Sequence, residues 1–437
     1  MTLWVIIMFI ALMGMLLVGY PVAFSLGAVA LVFGAIFLGL DFFQLLPIQI
    51  WGVMTNFTLL AVPLFVFMGI VMDKSGLAED LLETMGLLFG KVRGGLAISV
   101  VVVGALLAAT TGVVGATVVT MGIIALPTML KRSYSAPLAT GTIAASGTLG
   151  QIIPPSIILI LLGDVMGVPV GRLFMGAVVP GILLVILFLL YISVASWLKP
   201  DIAPPLDVDD DENLLSRVLY TLIPPLLLVI GVLGSIFFGI ASPTESAAVG
   251  ALGAMLLSAA HRKLNLGNLQ DAMRQTVRLT SMVFLILIGA TAFGLVFRGM
   301  GGDRLVMDLM TNIPGGIWGF LAVSMLMIFL LGFFLDFLQI CFIVVPILAP
   351  IAGNLGIDLL WLAVLIAMNL QTSFLTPPFG FSLFYLKAVA PDTIKIHHVY
   401  RGIIPFVLIQ LITIALLVIF PDIVTWLPDM MDEIQGF

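Results

Sequence analysis

Two stretches of this sequence are too long and too apolar to belong to a water-soluble fold. Residues 95–130 form a run of 36 residues without a charge, and residues 316–352 form a similar run in which Asp336 is the one carboxylate. A straight membrane-spanning helix needs about 20 mostly apolar residues. Each run is too long for one such helix and slightly short for two. We therefore predict that each is a re-entrant hairpin that turns inside a membrane.

Composition points the same way. Charged residues make up 9% of the 437 residues, against about 25% in soluble domains, which excludes both a soluble enzyme and a disordered chain. The single Cys341 and three histidines exclude a disulfide framework and a Cys-rich or His-rich metal centre. A net charge of −6 without a long basic run argues against a nucleic-acid partner. We predict an all-α polytopic membrane protein that contacts the lipid bilayer along most of its length.

The remaining apolar segments are of spanning length or are amphipathic. The amphipathic ones are predicted to lie along the membrane surface, with 77–91 and 264–278 on the cytoplasmic side and 300–310 on the outer side. The predicted spans are 2–19, 21–40, 50–72, 173–198, 218–240, 244–260, 279–297 and 402–420. The apolar run at the N-terminus lacks the basic start and cleavage site of a signal peptide, so we interpret it as the first span.

Lysine and arginine concentrate on the cytoplasmic side of membrane proteins. With the N-terminus outside and both hairpins returning to the side they enter, 14 of the 17 basic residues face the cytoplasm. This topology places an acidic, Pro-rich linker, 199–217, in the cytoplasm, between an N-terminal half (1–198) and a C-terminal half (218–437). The hairpin at 95–130 then opens to the cytoplasm and the one at 316–352 to the outside. The outward basic residues Arg172, Arg298 and Arg304 either anchor a docking protein or pair with neighbouring Asp164, Asp303 and Asp308.

The two halves share a pattern of helix breaks. Pro154-Pro155 and Pro377-Pro378 lie 223 residues apart, and each pair interrupts an apolar segment, 136–163 and 359–386. Each segment follows a predicted hairpin, and the hairpins open to opposite sides. The halves are therefore predicted to be inverted repeats, as in many secondary transporters.

Proline pairs unwind a helix because they lack an N–H and clash with an earlier carbonyl. Unwound backbone inside a membrane is tolerated only where it is buried in protein or lines a wet cavity, and its free carbonyls suit a small hard cation. Polar residues precede both breaks: Gly147, Thr148, Gly150 and Gln151 before the first, and Asn369, Gln371, Thr372, Ser373 and Thr376 before the second. The alternative is that these are kinks with small residues for helix packing.

Two acidic residues lie within or at the edge of apolar segments. Asp336 lies at the predicted turn of the second hairpin, where it either takes part in ion or proton transfer or caps the second arm of that hairpin. Ser242-Pro243-Thr244-Glu245 has the sequence of a capping box, so Glu245 is predicted to cap a helix.

At these breaks the sequence resembles a known family. GTIAASGTLGQIIPPS from Gly141 and FLTPPFGFSLFYLKAVAP from Phe374 look like the large membrane (M, DctM-like) subunit of tripartite ATP-independent periplasmic (TRAP) transporters. The resemblance covers essentially the whole chain. It implies an ion-transporter-superfamily fold and an elevator-type mechanism in a bacterial inner membrane. It also implies import of an organic acid coupled to Na+, with protons as the alternative coupling ion.

The resemblance also implies partners and sites. The partners are a small four-helix membrane (Q) subunit and a periplasmic substrate-binding (P) protein. Ser146, Thr148, Gln151, Asn369, Gln371 and Thr372 are candidate contacts for the substrate. Carried over residue by residue, a first sodium site uses Thr111, Gly112, Gly150, Ile153 and Pro155, and a second uses Gly332, Ser373, Thr376 and Phe379.

The alternatives to this function are a stand-alone symporter, an intramembrane enzyme and an ATP-driven pump. A stand-alone ion-coupled carboxylate symporter of the same superfamily would transport without partners, so uptake by the purified chain alone would identify it. An intramembrane enzyme is disfavoured because no His-Glu-x-x-His, Gly-x-Ser-x-Gly or paired-aspartate protease motif occurs, and an ATP-driven pump because no phosphate-binding loop occurs.

Overall fold

The structure is a computed structural model that describes residues 2–112, 114–205, 214–311, 313–378 and 380–435. Within these ranges every regular element is a helix, as the composition predicts. The N-terminal half contains α1 (Thr2–Val18), α2 (Val22–Phe37), α3 (Leu46–Met54), α4 (Ala61–Lys74), α5 (Leu77–Phe89), α6 (Gly95–Thr111), α7 (Val114–Lys131), α8 (Ala136–Thr148), α9 (Ile157–Met166) and α10 (Val170–Leu198). The C-terminal half contains α11 (Leu214–Phe237), α12 (Pro243–Ala260), α13 (Leu266–Gly299), α14 (Gly302–Thr311), α15 (Gly316–Leu331), α16 (Phe337–Ile343), α17 (Val345–Asn354), α18 (Leu359–Leu375), α19 (Phe381–Val389), α20 (Ile396–Ile419) and α21 (Asp422–Gln435).

The outer surface of this helical bundle is apolar. On α11, for example, Leu227 is 61% exposed and Ile230 is 55% exposed. A soluble monomer rarely exposes apolar surface on this scale, whereas lipid solvates it readily. Five helices (α7, α10, α11, α13 and α20) are long and apolar enough to cross a membrane alone, and up to seven spans are counted if two bent pairs each form one. The chain is a multi-pass membrane protein.

The two helices that end at the Pro-Pro breaks form the centre of the bundle. Every residue of α8 from Leu138 to Thr148 is buried, and so is every residue of α18 from Leu360 to Leu375. Helices α6, α7 and α20 pack around α8, while α15 and α20 pack against α18. Helices α8 and α20 cross with their backbones in contact, because a side chain on Gly402 would meet the carbonyl of Pro137.

The predicted span 50–72 is not one straight helix, since this segment is broken. Helices α3 and α4 are separated by a short 3-10 helix (Thr58–Leu60), and the two arms are bent by 55°. The Asn56 side chain stabilises the break: its Oδ1 accepts from the Thr58 N–H at 3.0 Å, and its Nδ2 donates to the Asp164 carboxylate. An amide that satisfies a free backbone donor in this way favours a turn over a continuous helix.

A separate surface helix at 264–278 is a wrong prediction. These residues continue into the span 279–297 as one helix, α13, of 34 residues. At about 1.5 Å per residue this helix is roughly 50 Å long. It therefore extends well beyond the apolar core of a bilayer, which is about 30 Å thick.

The two predicted hairpin segments are built differently. In the first, α6 and α7 pack against each other and are separated only by Gly112 and the residue after it. In the second, α15 is followed by a turn at 332–336 and then by α16 and α17, which are bent by 50° at Val344. Helix α15 packs against α18, whereas α16 packs against α9 and α13.

Ion pairs connect the helix ends. Arg217 pairs with Glu83 at 2.9 Å, and Lys74 with Asp271 at 3.8 Å; all four lie on the predicted cytoplasmic side. Part of the acidic linker, 206–213, lies outside the described residues. On the predicted outer side Arg172 contacts the acidic helix α21, at 3.1 Å from Asp432 and 3.5 Å from Asp429. The alternative pairing of Arg172 with Asp164 is wrong, because Asp164 instead accepts from Asn56.

Candidate functional site

The first Pro-Pro break separates α8 from α9. Helix α8 ends at Thr148, a 3-10 turn covers Leu149–Gln151, and α9 begins at Ile157 after a cis Pro154–Pro155 peptide. The Ser156 hydroxyl donates to the Gln151 carbonyl at 2.8 Å. One hydroxyl thus bridges the two half-helices across the break, where the regular helical hydrogen bonds of the backbone are interrupted.

The turn between α6 and α7 lies against this break. Gly112 ends α6 with a φ of +60°, and a Cβ built on it would lie 3.5 Å from the Pro155 carbonyl oxygen. A Cβ on Gly150 would lie 3.6 Å from the Cα of Ala108 in α6. The fold therefore brings Gly112, Gly150 and Pro155, three residues predicted for the first sodium site, into one region.

The structure does not place the side chains of the two other predicted residues, Ile153 and Thr111, at this site. The Ile153 side chain turns toward α10, where its Cγ1 would lie 3.2 Å from a Cβ on Gly181. Any contact of Ile153 with an ion would therefore come from its backbone. The Thr111 side chain lies outside the described residues.

The second break separates α18 from α19, again around a cis peptide, Pro377–Pro378. The Ser382 hydroxyl donates to the Phe374 carbonyl at 3.1 Å and bridges this break as Ser156 bridges the first. The Thr376 Oγ1 donates to the Thr372 carbonyl at 2.7 Å. Phe379, which was predicted for the second sodium site, lies outside the described residues.

The turn after α15 lies against α18 just before this break. A Cβ on Gly332 would meet the Ser373 side chain, with the Ser373 Cβ only 2.8 Å away. Gly332 and Ser373 are therefore brought together, and Thr376 follows Ser373 at the end of the same helix.

The two breaks are connected through α8 and α18. The Gln371 Nε2 lies 3.5 Å from the Thr148 Oγ1, and both side chains are fully buried. These two positions are 223 residues apart, the same offset as the Pro pairs. Two residues separated by the offset of the Pro pairs thus contact each other at the centre of the molecule.

Buried amide groups next to this contact lack partners among the described residues. Neither polar atom of the Gln151 side chain has a hydrogen bond, nor does the Gln371 Oε1. A buried polar atom without a partner costs about 1–3 kcal/mol, so such groups are normally satisfied by protein, water or a ligand. The side-chain oxygens of Gln151 and Gln371 are ligands of the kind that suits a hard cation.

The sequence pattern of the family described as "Tripartite ATP-independent periplasmic transporter, DctM component" matches residues 9–423. The chain belongs to this family. It is the large permease component of a TRAP transporter, and the family is a transporter permease rather than an enzyme.

Individual relatives agree with this assignment. The C4-dicarboxylate TRAP transporter large permease protein DctM of Pseudomonas aeruginosa is 31% identical over 89% of this chain and 90% of its own length. The sialic acid TRAP transporter large permease protein SiaM of Vibrio cholerae is 30% identical over 96% of this chain and 97% of its own length. The ectoine TRAP transporter large permease protein TeaC of Halomonas elongata is 27% identical over 97% of this chain and 99% of its own length.

One solved structure shares the fold. The YdaH transporter of Alcanivorax borkumensis superposes with a TM-score of 0.63, covering 90% of this chain and 95% of its own, at 15% sequence identity. At that identity the likeness concerns the arrangement of helices alone.

In this TRAP permease Asp336 caps a helix. Its Oδ1 accepts from the Phe337 N–H at 2.8 Å at the start of α16. The capping alternative is therefore observed, while a role in ion or proton transfer stays a prediction. Glu245 also caps its helix: Ser242 and Glu245 exchange side-chain and backbone hydrogen bonds in a complete capping box, as predicted.

The six side chains predicted to contact substrate are all buried in helix contacts. The hydroxyls of Thr148 and Thr372 each donate to a carbonyl of their own helix at 2.8 Å, and Asn369 donates to the Met325 carbonyl of α15 at 2.7 Å. None of the six lines a cavity of about 370 Å³ that is bordered by α9, α13, α16 and α17. Their role in substrate binding stays a prediction. The full set is Ser146, Thr148, Gln151, Asn369, Gln371 and Thr372.

Three polar residues near the centre were not predicted from the sequence. Ser156 and Ser382 bridge the breaks, and Gln410 of α20 is fully buried with neither amide atom hydrogen-bonded among the described residues. The sequence contains features that could have identified two of them. Ser156 directly follows a Pro pair, and Gln410 is the one amide within the apolar span 402–420.

Proposed function

We propose that this TRAP permease imports an organic acid across the bacterial inner membrane by sodium-coupled secondary transport. In the proposed elevator mechanism, the elements around the two breaks move relative to the remaining helices. The substrates for which its relatives are named, C4-dicarboxylates, sialic acid and ectoine, support a small carboxylate-bearing substrate. The inverted repeat inferred from the sequence supports alternating access.

One observation above all supports sodium coupling: a turn of the chain lies close to oxygen atoms at or just before each break. Gly112 lies beside the Pro155 carbonyl at the first break, and Gly332 lies beside Ser373 at the second. Na+ prefers oxygen ligands, as other hard cations do. In this proposal Gly112, Gly150 and Pro155 hold one ion and Gly332, Ser373 and Thr376 hold another, mainly through carbonyls. Thr111, Ile153 and Phe379 complete the two proposed sets.

The proposed partners are a small four-helix membrane subunit and a periplasmic substrate-binding protein. One relative, the isethionate TRAP transporter permease protein DctMQ of Oleidesulfovibrio alaskensis, is 28% identical over 93% of this chain but only 64% of its own length. The unmatched third of that relative leaves room for a fused small subunit.

The test is sodium dependence of uptake with this permease, its small subunit and its binding protein reconstituted in liposomes. Thr376→Val removes an oxygen from the second break but keeps the side-chain shape. We expect the sodium concentration for half-maximal uptake to rise by roughly three- to tenfold, the effect of one lost polar contact. Unchanged sodium dependence would support the alternative that the breaks are simple kinks.

The matched control is Thr276→Val. The Thr276 hydroxyl donates to the carbonyl four residues earlier at 2.8 Å, as the Thr376 hydroxyl does at 2.7 Å, but it lies in the N-terminal part of α13. We expect this variant to keep the sodium dependence of the parent. A further arm omits the binding protein and the small subunit: full uptake by the permease alone would identify a stand-alone symporter.

A further inference from the structure

A cavity of about 370 Å³ lies apart from the two breaks. Its walls come from the C-terminal part of α13 and from residues of α3, α9, α14, α16 and α17. Organic ligands bind in cavities of roughly 300–1,000 Å³, so the volume suits a small metabolite. Because α9 follows the first break and α16 follows the turn after α15, this cavity lies between the central elements and the long helix α13.

The cavity carries one basic group, Arg298 of α13. The Arg298 Nη1 lies 3.9 Å from the position of a Cβ on Gly294, so the guanidinium folds back one helical turn over this glycine and along the cavity wall. Among the described residues Arg298 has no ion-pair partner within 4.0 Å. An arginine fork of this kind can bind a carboxylate through two parallel hydrogen bonds.

The same cavity carries two acidic groups, Asp164 at the end of α9 and Asp303 of α14. Asp164 is held in place because its Oδ1 accepts from Asn56, whose own Oδ1 accepts from the Thr58 N–H at 3.0 Å. The Asp164 Oδ2 has no hydrogen-bond donor within the part of the chain that the structure describes. This oxygen is available to a donor on a ligand.

Much of the remaining wall is apolar and includes Phe297, Phe342 and Pro346. Formally, the charged groups comprise one cation and two anions. A ligand with two carboxylates would satisfy Arg298 with one of them and bring the other toward Asp164 or Asp303, where like charges repel. A ligand with one carboxylate and one cationic or hydroxyl donor would pair with both kinds of group.

We propose that this cavity is a substrate-binding site that selects molecules with a single carboxylate and a cationic or hydroxyl group on a compact apolar body. In this proposal Arg298 binds the carboxylate and the Asp164 Oδ2 accepts from the second group. The inference rests on the proposed function, import of an organic acid, and adds the substrate class. In this proposal the substrate first binds at Arg298 and not at the buried residues of the breaks.

The experiment measures ligand protection of a thiol in the cavity of the purified full-length permease. Thr291→Cys places the thiol on the cavity wall, one helical turn from Gly294, and the parent with its buried native Cys341 serves as the blank. The probes are ectoine, which has one carboxylate and a cationic ring, and succinate, a dianion. We expect ectoine to slow labelling at a lower concentration than succinate does.

Two variants in this background test the assigned groups. Arg298→Gln should raise the protecting concentration of ectoine by about tenfold or more, because it removes a charge-assisted hydrogen-bond donor. Arg304→Gln, on the same predicted outer face but outside this cavity, should leave that concentration unchanged. Asp164→Asn should reduce the preference for ectoine over succinate.

Three outcomes would overturn the proposal: protection by neither probe at millimolar concentration, stronger protection by succinate, or equal effects of the two arginine substitutions. Labelling is measured in detergent without sodium-driven uptake. A failure of the proposed transport function appears instead as loss of uptake by the reconstituted parent, so the two results are distinguishable.

Discussion

The two Pro-Pro breaks are similar in sequence but differ in how deeply they are buried. At the first break Pro154, Pro155 and Ser156 are all buried, whereas at the second Thr376 and Pro377 are half-buried and Pro378 is exposed. Each break has a cis proline peptide and a serine that bridges its half-helices. The same local chemistry therefore has two different surroundings.

The neighbouring helices explain the difference. Helix α6 and its terminal Gly112 cover the first break, since Gly112 reaches the Pro155 carbonyl. The turn after α15 reaches Ser373, before the second break, and the Pro378 carbonyl accepts from the Tyr400 hydroxyl at 3.4 Å. Matching motifs thus predict matching backbone breaks, while access to each break is set by the elements that pack over it.

The largest expected effect concerns how the two broken helices are packed. Gly402→Ala would push a Cβ into the carbonyl of Pro137 in α8, and backbone cannot move aside as a side chain can. We expect a destabilisation of about 3 kcal/mol, at the upper end of typical overpacking costs. Gly332→Ala would meet mainly the Ser373 side chain, with the Ile328 carbonyl oxygen farther away at 3.3 Å, and we expect about 1 kcal/mol. Thermal unfolding in detergent measures both, and equal losses would contradict the difference in packing.

Access to the breaks can be compared directly by thiol labelling. With native Cys341 buried as background, Thr376→Cys should react faster than Ser156→Cys, by about an order of magnitude, because thiol reactivity follows exposure. The rates are measured on the purified chain with a small water-soluble maleimide. Faster labelling at position 156 would reverse the assignment of the open and the covered break.

The bridging serines should contribute more modestly. Ser156→Ala leaves the Gln151 carbonyl without its donor at a buried position, and we expect a loss of about 1–2 kcal/mol in stability. Ser382→Ala removes a longer bond beside the more open break, and we expect about 1 kcal/mol or less. The two variants are compared by their unfolding midpoints. A larger effect at Ser382 would show that the second bridge is the more important one.

The smallest effect is expected where the halves meet. The contact between the Gln371 Nε2 and the Thr148 Oγ1 is long, at 3.5 Å, and Thr148 already donates to the Ala145 carbonyl. Thr148→Val should therefore change stability by less than about 1 kcal/mol. A loss of several kcal/mol, measured in the same unfolding assay, would show that this central contact holds the two halves together.

The sequence predicted the helical class and both breaks because hydropathy and proline act locally. It failed at Asn56, where a break depends on a hydrogen bond to Asp164 that is distant in sequence. It also failed at α13, where Arg274 and Arg278 suggested a boundary between surface helix and span. Charge indicates where a helix leaves the apolar layer, but it does not end the helix. Lysine and arginine are good helix formers.

The candidate site was predictable only in part. Gly112, Gly150 and Pro155 were named from the family resemblance, and the fold brings them together. The cavity beside Arg298 could not be predicted in this way, because its walls come from six separate helices and from side chains without a shared motif. Contacts of this kind follow from packing, which hydropathy and local motifs do not specify.

The uninterrupted helix α13 has a mechanical consequence. It is held near its N-terminal end by the pair of Asp271 with Lys74, and it carries Arg298 in its last turn. A helix without a proline or a bulge bends little. We therefore expect α13 to be rigid and to keep Arg298 at a fixed position, along the helix axis, relative to α4. If α9 and α16 slide during transport, the acidic and apolar walls travel past a stationary arginine. The grip on a carboxylate would then loosen through the displacement of its surroundings alone.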